Sequence, residues 1–449
     1  MNLKFSSFVL NVLTFLAFFP SMVLAAFLPR VTGAELSSLS QLLKDVYDPV
    51  IEEQQNLEAF TWKEFDSGSD PLGGKGWTFE NKMGGNQEGI GARAERALLP
   101  NPAYQRYQTG IITWKLLYGG YEITGPAIEA ARSNLYAFAV ARTEEINGLT
   151  RDLIKDFNRQ VYGDGGGVLA TISGALTDVN TFNVTNGMYL RLHMQVDVWT
   201  GNAINVTGGA SSNLAVVDRG ITALTPQTNG TMNVTLDGAI FDPASGDVLI
   251  RSASAIAGTP RSGLEMEGIK KMADDGTVAP VYLGITRANF PLFKGHLFTN
   301  AGTARNLSLD LLQQCEDQIY RATGKRPNWV RMNLGQRRKY FDLVAPDKRY
   351  MTGTIDGGYE RLDYNGNTLT VDIDHPLGEI TMLQKELIKK YELRKFGMLD
   401  FDGLTLRMQG NSDIYRGYIG MYANLGCKHP SGTLRLTDLQ EPAVTQWVS

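Results

Sequence analysis

From Pro126 to Gln160 apolar residues recur mostly at spacings of three and four: Ile128, Ala131, Leu135, Phe138, Ile146, Leu149, Leu153 and Phe157. Glu129, Arg132, Arg142, Glu144, Glu145, Arg151, Asp152 and Lys155 occupy the opposite side. That period predicts a long amphipathic helix. Pro126 follows Thr124-Gly125 and suits a first helical turn, and only Gly148 interrupts the pattern. About 34 residues make a rod of ~50 Å, against the usual ~11–12 residues. Such a rod, charged on its far side, suits a spine crossing a flat subunit.

The flanking patterns have other periods. Residues 35–60 carry a short amphipathic run, Leu36, Leu39, Leu42, Leu43, Val46 and Tyr47, read as a helix followed by an arm. A Gly-, Asn- and Asp-rich stretch, Ser67 to Gly91, contains a short strand, Gly76 to Phe79. "YQTGIITWKLLYGGYEIT" alternates around Ile112, Trp114 and Leu116 as a half-buried strand does. Two strands flanking a polar tip predict an extended hairpin from about Gly73 to Ile123. Its tip has too few apolar residues to fold alone, so its apolar side chains are expected to be covered by a neighbouring chain. Between Thr181 and Ser254, "YLRLHMQVDVW" alternates strictly, and "NLAVVDRGITAL", "TMNVTLDG" and "GDVLIRSAS" follow with close turns. That predicts a small all-β barrel or sandwich. Helix and strand then alternate: a helix from Ser308 to Gly324 with capping residues at both ends, a strand at "NWVRMN", a helix at "GQRRKYFDLVAPD", and a strand after the Asn365-Gly366 turn. The C-terminus returns to strands.

Length and charge narrow the class. The 449 residues suffice for two or three domains. A net charge of −4 lacks the basic excess of a dedicated nucleic-acid binder. Cys315 and Cys427 have no metal-like spacing and are expected to be free thiols. The N-terminus reads differently: Lys4 precedes an apolar run from Phe5 to Ala25. That run fits a secretory signal, a membrane anchor, or a translation start at Met22. N-x-[ST] sequons at Asn183, Asn205, Asn229, Asn233 and Asn306 matter only if the chain is exported.

Candidate chemistry is sparse. Gly163, Gly165, Gly166 and Gly167 crowd Asp164 just after the long helix. A phosphate loop would need Lys-Ser or Lys-Thr after the glycines and would precede a helix. A calcium loop would need further acidic ligands. A helix C-terminal stop with Gly163 left-handed is the expected role. His193, His296, His375 and His429 form no H-x-x-x-H pair, and no G-x-S-x-G elbow is present. The turns at Asp363–Asn367 and Asp400–Gly403 read as hairpin turns. "GARAERA" places Arg93, Glu95 and Arg96 at the hairpin tip, either solvated or paired with a neighbouring subunit. Arg337, Arg338 and Lys339 read as a solvated helix face, with phosphate contact as the alternative.

An N-terminal arm, a long two-stranded loop, a spine helix and a G-D-G-x-G stop occur here in that order. The carriers are "GGNQEGIGARAERALLPNPAYQRYQTGIITWKLLYGGYEITGPAIEAA", "RDLIKDFNRQVYGDGGGVLA", "GLEMEGIKKMADDG" and "DLLQQCEDQIYRATGKRPNWVRMNLGQRRKYFDL". Over roughly residues 35–440 this resembles the major capsid proteins of tailed bacteriophages. Some of those proteins carry a small β-rich insertion, to which residues 181–255 are similar. The resemblance implies an α+β capsid fold. Its expected parts are an apolar segment (1–25), an N-terminal arm (26–66), an extended loop (67–122) and a peripheral domain (123–180 and 400–449) with a spine helix at 126–160. A β insertion (181–255) and an axial domain (256–399) complete it. It further implies a non-enzymatic shell subunit with no cofactor and no small-molecule substrate. The implied partners are its own copies in hexamers and pentamers, scaffold, portal and decoration proteins, and packaged double-stranded DNA held without sequence preference. The expected setting is a virion capsid assembled in the host cytoplasm, where an export signal is out of place. Trp77, Phe79, Arg93, Glu95, Arg96, Ile112 and Trp114 are the expected intersubunit contacts. Some relatives weld subunits through Lys–Asn bonds. Lys75 and Lys82 lie in the loop, but no motif names a partner, so that chemistry is not carried over. A secreted or surface-anchored β-rich binding protein and an encapsulin-like compartment shell are the alternatives.

Overall fold

The computed structural model describes residues 60–68, 76–86, 89–126, 135–200, 214–227, 231–252, 263–344, 362–399, 407–408, 410 and 412–442. The signal-like segment, most of the arm, the first turns of the predicted spine helix and the Asp400–Gly403 turn lie outside them. In chain order the elements are α1 (Phe60–Glu64), β1 (Asp66–Ser67), β2 (Gly76–Gly84), β3 (Arg106–Thr113), β4 (Lys115–Thr124) and the spine α2 (Leu135–Tyr162). Then come β5 (Val168–Ile172), β6 (Thr181–Thr185), β7 (Gln195–Trp199), β8 (Leu214–Pro226), β9 (Met232–Leu236) and β10 (Val248–Arg251). They are followed by α3 (Ile269–Met272), β11 (Val281–Tyr282), β12 (Ile285–Thr286), β13 (His296–Phe298), α4 (Leu309–Thr323), β14 (Trp329–Met332) and α5 (Leu334–Val344). The last are β15 (Asp363–Tyr364), β16 (Asn367–Val371), β17 (Ile380–Leu383), β18 (Ile388–Met398), β19 (Arg407–Met408), β20 (Ile414–Cys427) and β21 (Thr433–Leu436).

Three packed bodies result. In the first, β18 and β4 flank the long β20, with β1 and β19 beside them. One face of this sheet receives Leu153 of α2 against Tyr121 and Ile419. The second is a closed barrel in the order β10-β5-β6-β9-β8-β7, filled by Leu169, Phe182, Val184, Val196, Val198, Ile221 and Val234. The third is a six-stranded sheet, β13-β21-β17-β14-β16-β15. Leu312, Cys315 and Ile319 of α4 join its core. The α4 ends follow their sequence signals: the Ser308 side chain accepts from Leu311 N, and Gly324 closes the helix at φ 70°. Asn365 (φ 47°) and Gly366 (φ 81°) form the tight left-handed turn between β15 and β16.

Several boundaries differ from the sequence expectation. The barrel starts at Val168, inside the stretch assigned to the spine-helix domain. Met266, Ile269, Met272, Tyr282 and Phe293, assigned to the axial domain, pack with Phe157 and Val161 of α2 instead. β18 pairs with β20, while β21 enters the six-stranded sheet. The C-terminal chain therefore stitches two bodies together. The predicted strand Tyr189–Trp199 is a strand only from Gln195. Leu190 is buried but Leu192 is exposed. His193 takes φ 63° and turns the chain into the barrel, a conformation that His tolerates better than β-branched residues.

A buried carboxylate joins the bodies. Asp372 accepts hydrogen bonds from Tyr162 Oη (2.8 Å), from Asn158 Nδ2 (3.3 Å), from Thr61 Oγ1 and from Asp374 N (2.9 Å). Asn158 also donates to Asp374 at 2.8 Å, and Tyr189 of the barrel donates to the Asp374 carbonyl at 2.8 Å. His375 stacks edge-on against Tyr162. Burial keeps its imidazole below the usual range.

Within α2, a methyl group added at Gly148 would meet nothing within 4 Å. Gly148→Ala is expected to raise the stability of the unassembled subunit by ~1 kcal/mol. A higher urea midpoint at unchanged slope would show it; a lower midpoint would mean the helix requires glycine there.

Candidate assembly interface

The hairpin divides into a base and a tip. β2 and β3 pair antiparallel, with Phe79 opposite Gly110 and Trp77 opposite Ile112. Alternation sends Phe79, Asn81, Met83 and Ile112 to one face, and all four are buried. The Phe79 ring lies over Gly110, where a Cβ would come within 2.5 Å of it. Ile112 is 0% exposed, seated against Gly426 of β20, which has no room for a side chain. Trp77 stacks at a tilt on Tyr391, centroids 5.7 Å apart. Asn81 donates to the Lys428 carbonyl, and Ile111 N donates to the Leu283 carbonyl at 3.0 Å. The base is thus keyed into the subunit's own core.

This corrects the expectation that Trp77, Phe79, Ile112 and Trp114 find cover only on a neighbour. Phe79 and Ile112 belong to the core of their own chain, and Trp77 and Trp114 pack partly buried against it. What made Trp77 and Ile112 look unsheltered was that their cover, Tyr391 and Gly426, lies far along the chain, which no local pattern displays. The predicted single strand also breaks at Trp114: β3 stays with the hairpin and β4 leaves to pair with β20.

The tip carries the most exposed apolar side chains of the hairpin. Arg93, Glu95 and Arg96 are all exposed there, with Arg96 at φ 70°. They lie apart from the buried base residues. Beside them Leu98 is 91% and Leu99 82% exposed, and Ile90, Tyr104 and Tyr107 are exposed too. Sequence reading passed over these apolar residues. Their signal was "ALLPNPAY", an apolar run broken by prolines that leaves no strand to bury it. A second exposed apolar area lies on the outer face of β4 and β20, where Leu116, Tyr118 and Tyr418 stand. Tyr118 meets Tyr422 edge-on at 5.8 Å. Their hydrogen bond, with some burial, pushes the Tyr118 hydroxyl up to about 12. On the inner side a cleft of about 730 Å³ runs between α2 and β4, lined by Leu117, Leu149, Leu153, Leu264 and Lys115 among others.

The other chemical candidates resolve into structure. Asp164 accepts from Gly166 N at 2.8 Å and pairs with Lys270 Nζ at 2.9 Å. Burial alone would raise its carboxyl, but Lys270 and the Gly166 amide outweigh that and hold it at about 2. The left-handed glycines are Gly165 (φ 84°) and Gly167 (φ 75°). Gly163, expected to be left-handed, instead closes the last turn onto the Gln160 carbonyl at 3.0 Å. At the foot of the barrel Arg251 and Arg159 each meet Asp156 at 3.0 Å, and Arg159 meets Glu265 at 2.7 Å. Burial pushes Asp156 up, and the two guanidinium groups reverse that and hold it low. Arg338 is exposed on α5, with Arg337 and Lys339 half-buried. Among the described residues no group of His, Cys, Asp and Glu could hold a metal ion. Cys315 and Cys427 are buried free thiols. No described helix is long and apolar enough to cross a membrane.

A hairpin, a spine helix, a sheet beneath it and a separate α/β body together make the fold of a tailed-phage capsid subunit. No family model and no curated protein matches the chain. Among solved structures, the capsid asymmetric unit of cyanophage A-1(L) superposes with a TM-score of 0.55 at 11% identity, covering 91% of this chain and 100% of that one. The holo-SrpI encapsulin complex from Synechococcus elongatus PCC 7942 gives 0.42 at 8% identity, covering 92% and 98%. The capsid of a native GTA particle gives 0.43 at 9% identity, covering 88% and 98%. At these identities the likeness is one of fold.

Two predictions follow from base and tip. Ile112→Ala is expected to cost ~2–5 kcal/mol of subunit stability, whereas Leu98→Asp with Leu99→Asp should stay within about 0.5 kcal/mol of the parent. Urea unfolding of unassembled subunits measures both, and equal losses would contradict the division. The depressed Asp164 carboxyl gives a pH dependence. Its contribution is present above its ordinary value of 3.8 and is lost as pH falls from there towards about 2. Asp164→Asn should therefore lower stability at pH 7 on the order of 2 kcal/mol, with the difference shrinking below about pH 4. A pH-independent difference would assign the effect to packing.

Proposed function

We propose that this chain is the major capsid protein of a tailed phage, many copies of which close into an icosahedral shell around double-stranded DNA. The observation that carries this reading is the capsid fold shared with cyanophage A-1(L) over 91% of the chain. The hairpin tip supports it independently. A folded monomer that leaves Leu98 and Leu99 almost fully exposed has apolar surface to gain by contact, and exposed patches of this kind mark interaction sites. The tip of one copy lies on a neighbour, with Arg93, Glu95 and Arg96 pairing across the contact. Copies group as pentamers and hexamers. The interior confines DNA without gripping it, in keeping with a net charge of −4, since tight phosphate binding needs clustered Lys and Arg. Scaffold, portal and decoration proteins are the partners this reading implies, and assembly takes place in the host cytoplasm.

The expressed chain is expected to form closed particles by negative-stain microscopy, and particles from infected cells to hold nuclease-protected DNA. Leu98→Asp with Leu99→Asp should abolish particles while the subunit stays folded by circular dichroism. A parent chain that stays monomeric would sink the shell reading, and closed particles from the double variant would remove the tip from it.

A further inference from the structure

We infer that His375 is an acid-sensitive latch between the spine and the six-stranded body: as a neutral imidazole it closes the junction, and a second ring proton opens it. The residue is 0% exposed and lies in the loop between β16 and β17. Its ring meets Tyr162 of α2 edge-on, with centroids 4.9 Å apart. Its Nδ1 lies 3.0 Å from the Pro376 carbonyl, and its Nε2 lies 3.0 Å from Thr381 Oγ1 of β17. A carbonyl oxygen can only accept, so Nδ1 carries the hydrogen of the neutral ring. Nε2 then accepts from the Thr381 hydroxyl, which has no other partner among the described residues. One side chain thus touches the spine through its ring and the sheet through its nitrogen.

This geometry makes the second proton costly. An imidazolium donates from both nitrogens. Thr381 Oγ1 would have to turn round and accept, which leaves its own hydrogen facing no acceptor on a side chain 2% exposed. A buried charge and an unmade buried hydrogen bond are both unfavourable. The charged groups around the ring do not offset this. Asp372 and Glu379 of the same loop favour a cation there, and Arg331 of β14 opposes it. Both carboxylates are already engaged: Asp372 accepts from Thr61, Asn158 and Tyr162, and Glu379 meets Arg435 of β21 at 3.4 Å. Arg331 is paired with Glu64 of α1, and Asp374 accepts from Asn158 at 2.8 Å. Burial outweighs the two carboxylates and keeps the imidazole below its ordinary value of 6.5. The unfolded chain therefore takes this proton first. The stabilising contribution is complete above pH 6.5 and is lost as pH falls from there. The yielding point is the junction itself, because Tyr162 under the ring also donates to Asp372 at 2.8 Å. A ring that moves to hydrate its charge disturbs the spine's anchor with it.

Urea unfolding of the unassembled full-length subunit between about pH 7.5 and pH 5 tests this. The parent should lose stability below pH 6.5. His375→Gln cannot take the proton and should lose less, the two folded-to-unfolded ratios converging by up to about ten-fold per pH unit. His296 and His429, which burial holds low, and Asp374, which burial holds high, are present in both proteins and cancel. Hydrogen exchange at about pH 5, corrected for the intrinsic rate, should place the parent's loss in peptides around Asn158–Tyr162 and 372–383, with the barrel strands still protected. The same pH dependence in both proteins, or acid-induced exchange spread evenly over the subunit, refutes the latch. If His375→Gln does not fold, histidine labelled with nitrogen-15 in the parent decides. The chain has four histidines, and variants of the other three assign His375 by elimination. A ring that stays neutral with its hydrogen on Nδ1 until the subunit opens supports the latch. A hydrogen on Nε2, or a folded-state proton taken up at or above pH 6.5, overturns it. Every readout is made on a single subunit, so the latch stands or falls apart from the shell reading.

Discussion

One buried carboxylate fixes how the parts of this subunit sit together. A carboxylate out of water costs several kcal/mol unless its oxygens are satisfied. Asp372 meets that demand with donors from three places in the chain: Thr61 of α1, Asn158 and Tyr162 of the spine, and the backbone of Asp374. Withdrawing any one element leaves charge buried with too few donors. The geometry is therefore held in common, and the spine cannot shift against the six-stranded body without breaking several bonds together. Tyr189 adds the barrel to the same junction, and Glu64 adds α1 again by pairing with Arg331 and accepting from Trp329 at 2.6 Å. In the proposed shell, a subunit that presents several faces at fixed angles needs this rigidity before any contact with another copy forms.

The hairpin obeys the same logic by another force. Its base is held by packing: Phe79 and Ile112 reach glycines whose missing side chains make the space. The tip projects from that base with Leu98 and Leu99 exposed. A projecting loop whose root is part of the core can meet a neighbour without unfolding anything. The contact then costs little ordering beyond the tip itself. The parent expectation had the whole hairpin waiting for cover. The structure buries Phe79 and Ile112 at the base, while Leu98 and Leu99 of the tip and Tyr107 and Ile111 of β3 face solvent.

What was legible in the sequence was local. The capping Ser308 and Gly324 bound α4 as their chemistry requires, the Asn365-Gly366 turn joins β15 to β16, and the strand signals after Thr181 close into a barrel. What was hidden depended on distant partners. Nothing near Ile112 announces Gly426, and nothing in "GLEMEGIKKMADDG" announces that Met266 and Ile269 pack on the spine rather than with the sheet that follows. The strict alternation of "YLRLHMQVDVW" was misleading for a different reason. Alternation counts side chains but not backbone angles: Gly187–Tyr189 is a 3-10 turn, Met194 N closes a second turn onto the Arg191 carbonyl, and His193 is left-handed, so the strand period holds only from Gln195. Composition gave the glycine run its role as a stop, but backbone geometry alone assigns the left-handed positions to Gly165 and Gly167.

The net value of −4 conceals how the charges are arranged. Inside, ions are paired: Asp156 with Arg159 and Arg251, Asp164 with Lys270, and Asp274 with Arg287, the last pair fully buried. Arg287 also donates to the carbonyls of Lys271, Met272 and Ala279. Removing one partner from such a set would strand the other in low dielectric, so these pairs hold the subunit to one arrangement. Outside, both signs occur on the same helix: Asp310, Asp317 and Arg321 are exposed on α4, and Arg338 and Asp342 on α5. Asp310 lies in the first turn of α4, where the helix dipole favours a negative charge. Exposed charges in water contribute little each, so it is the buried pairs, Asp274 with Arg287 above all, that fix the arrangement of the subunit.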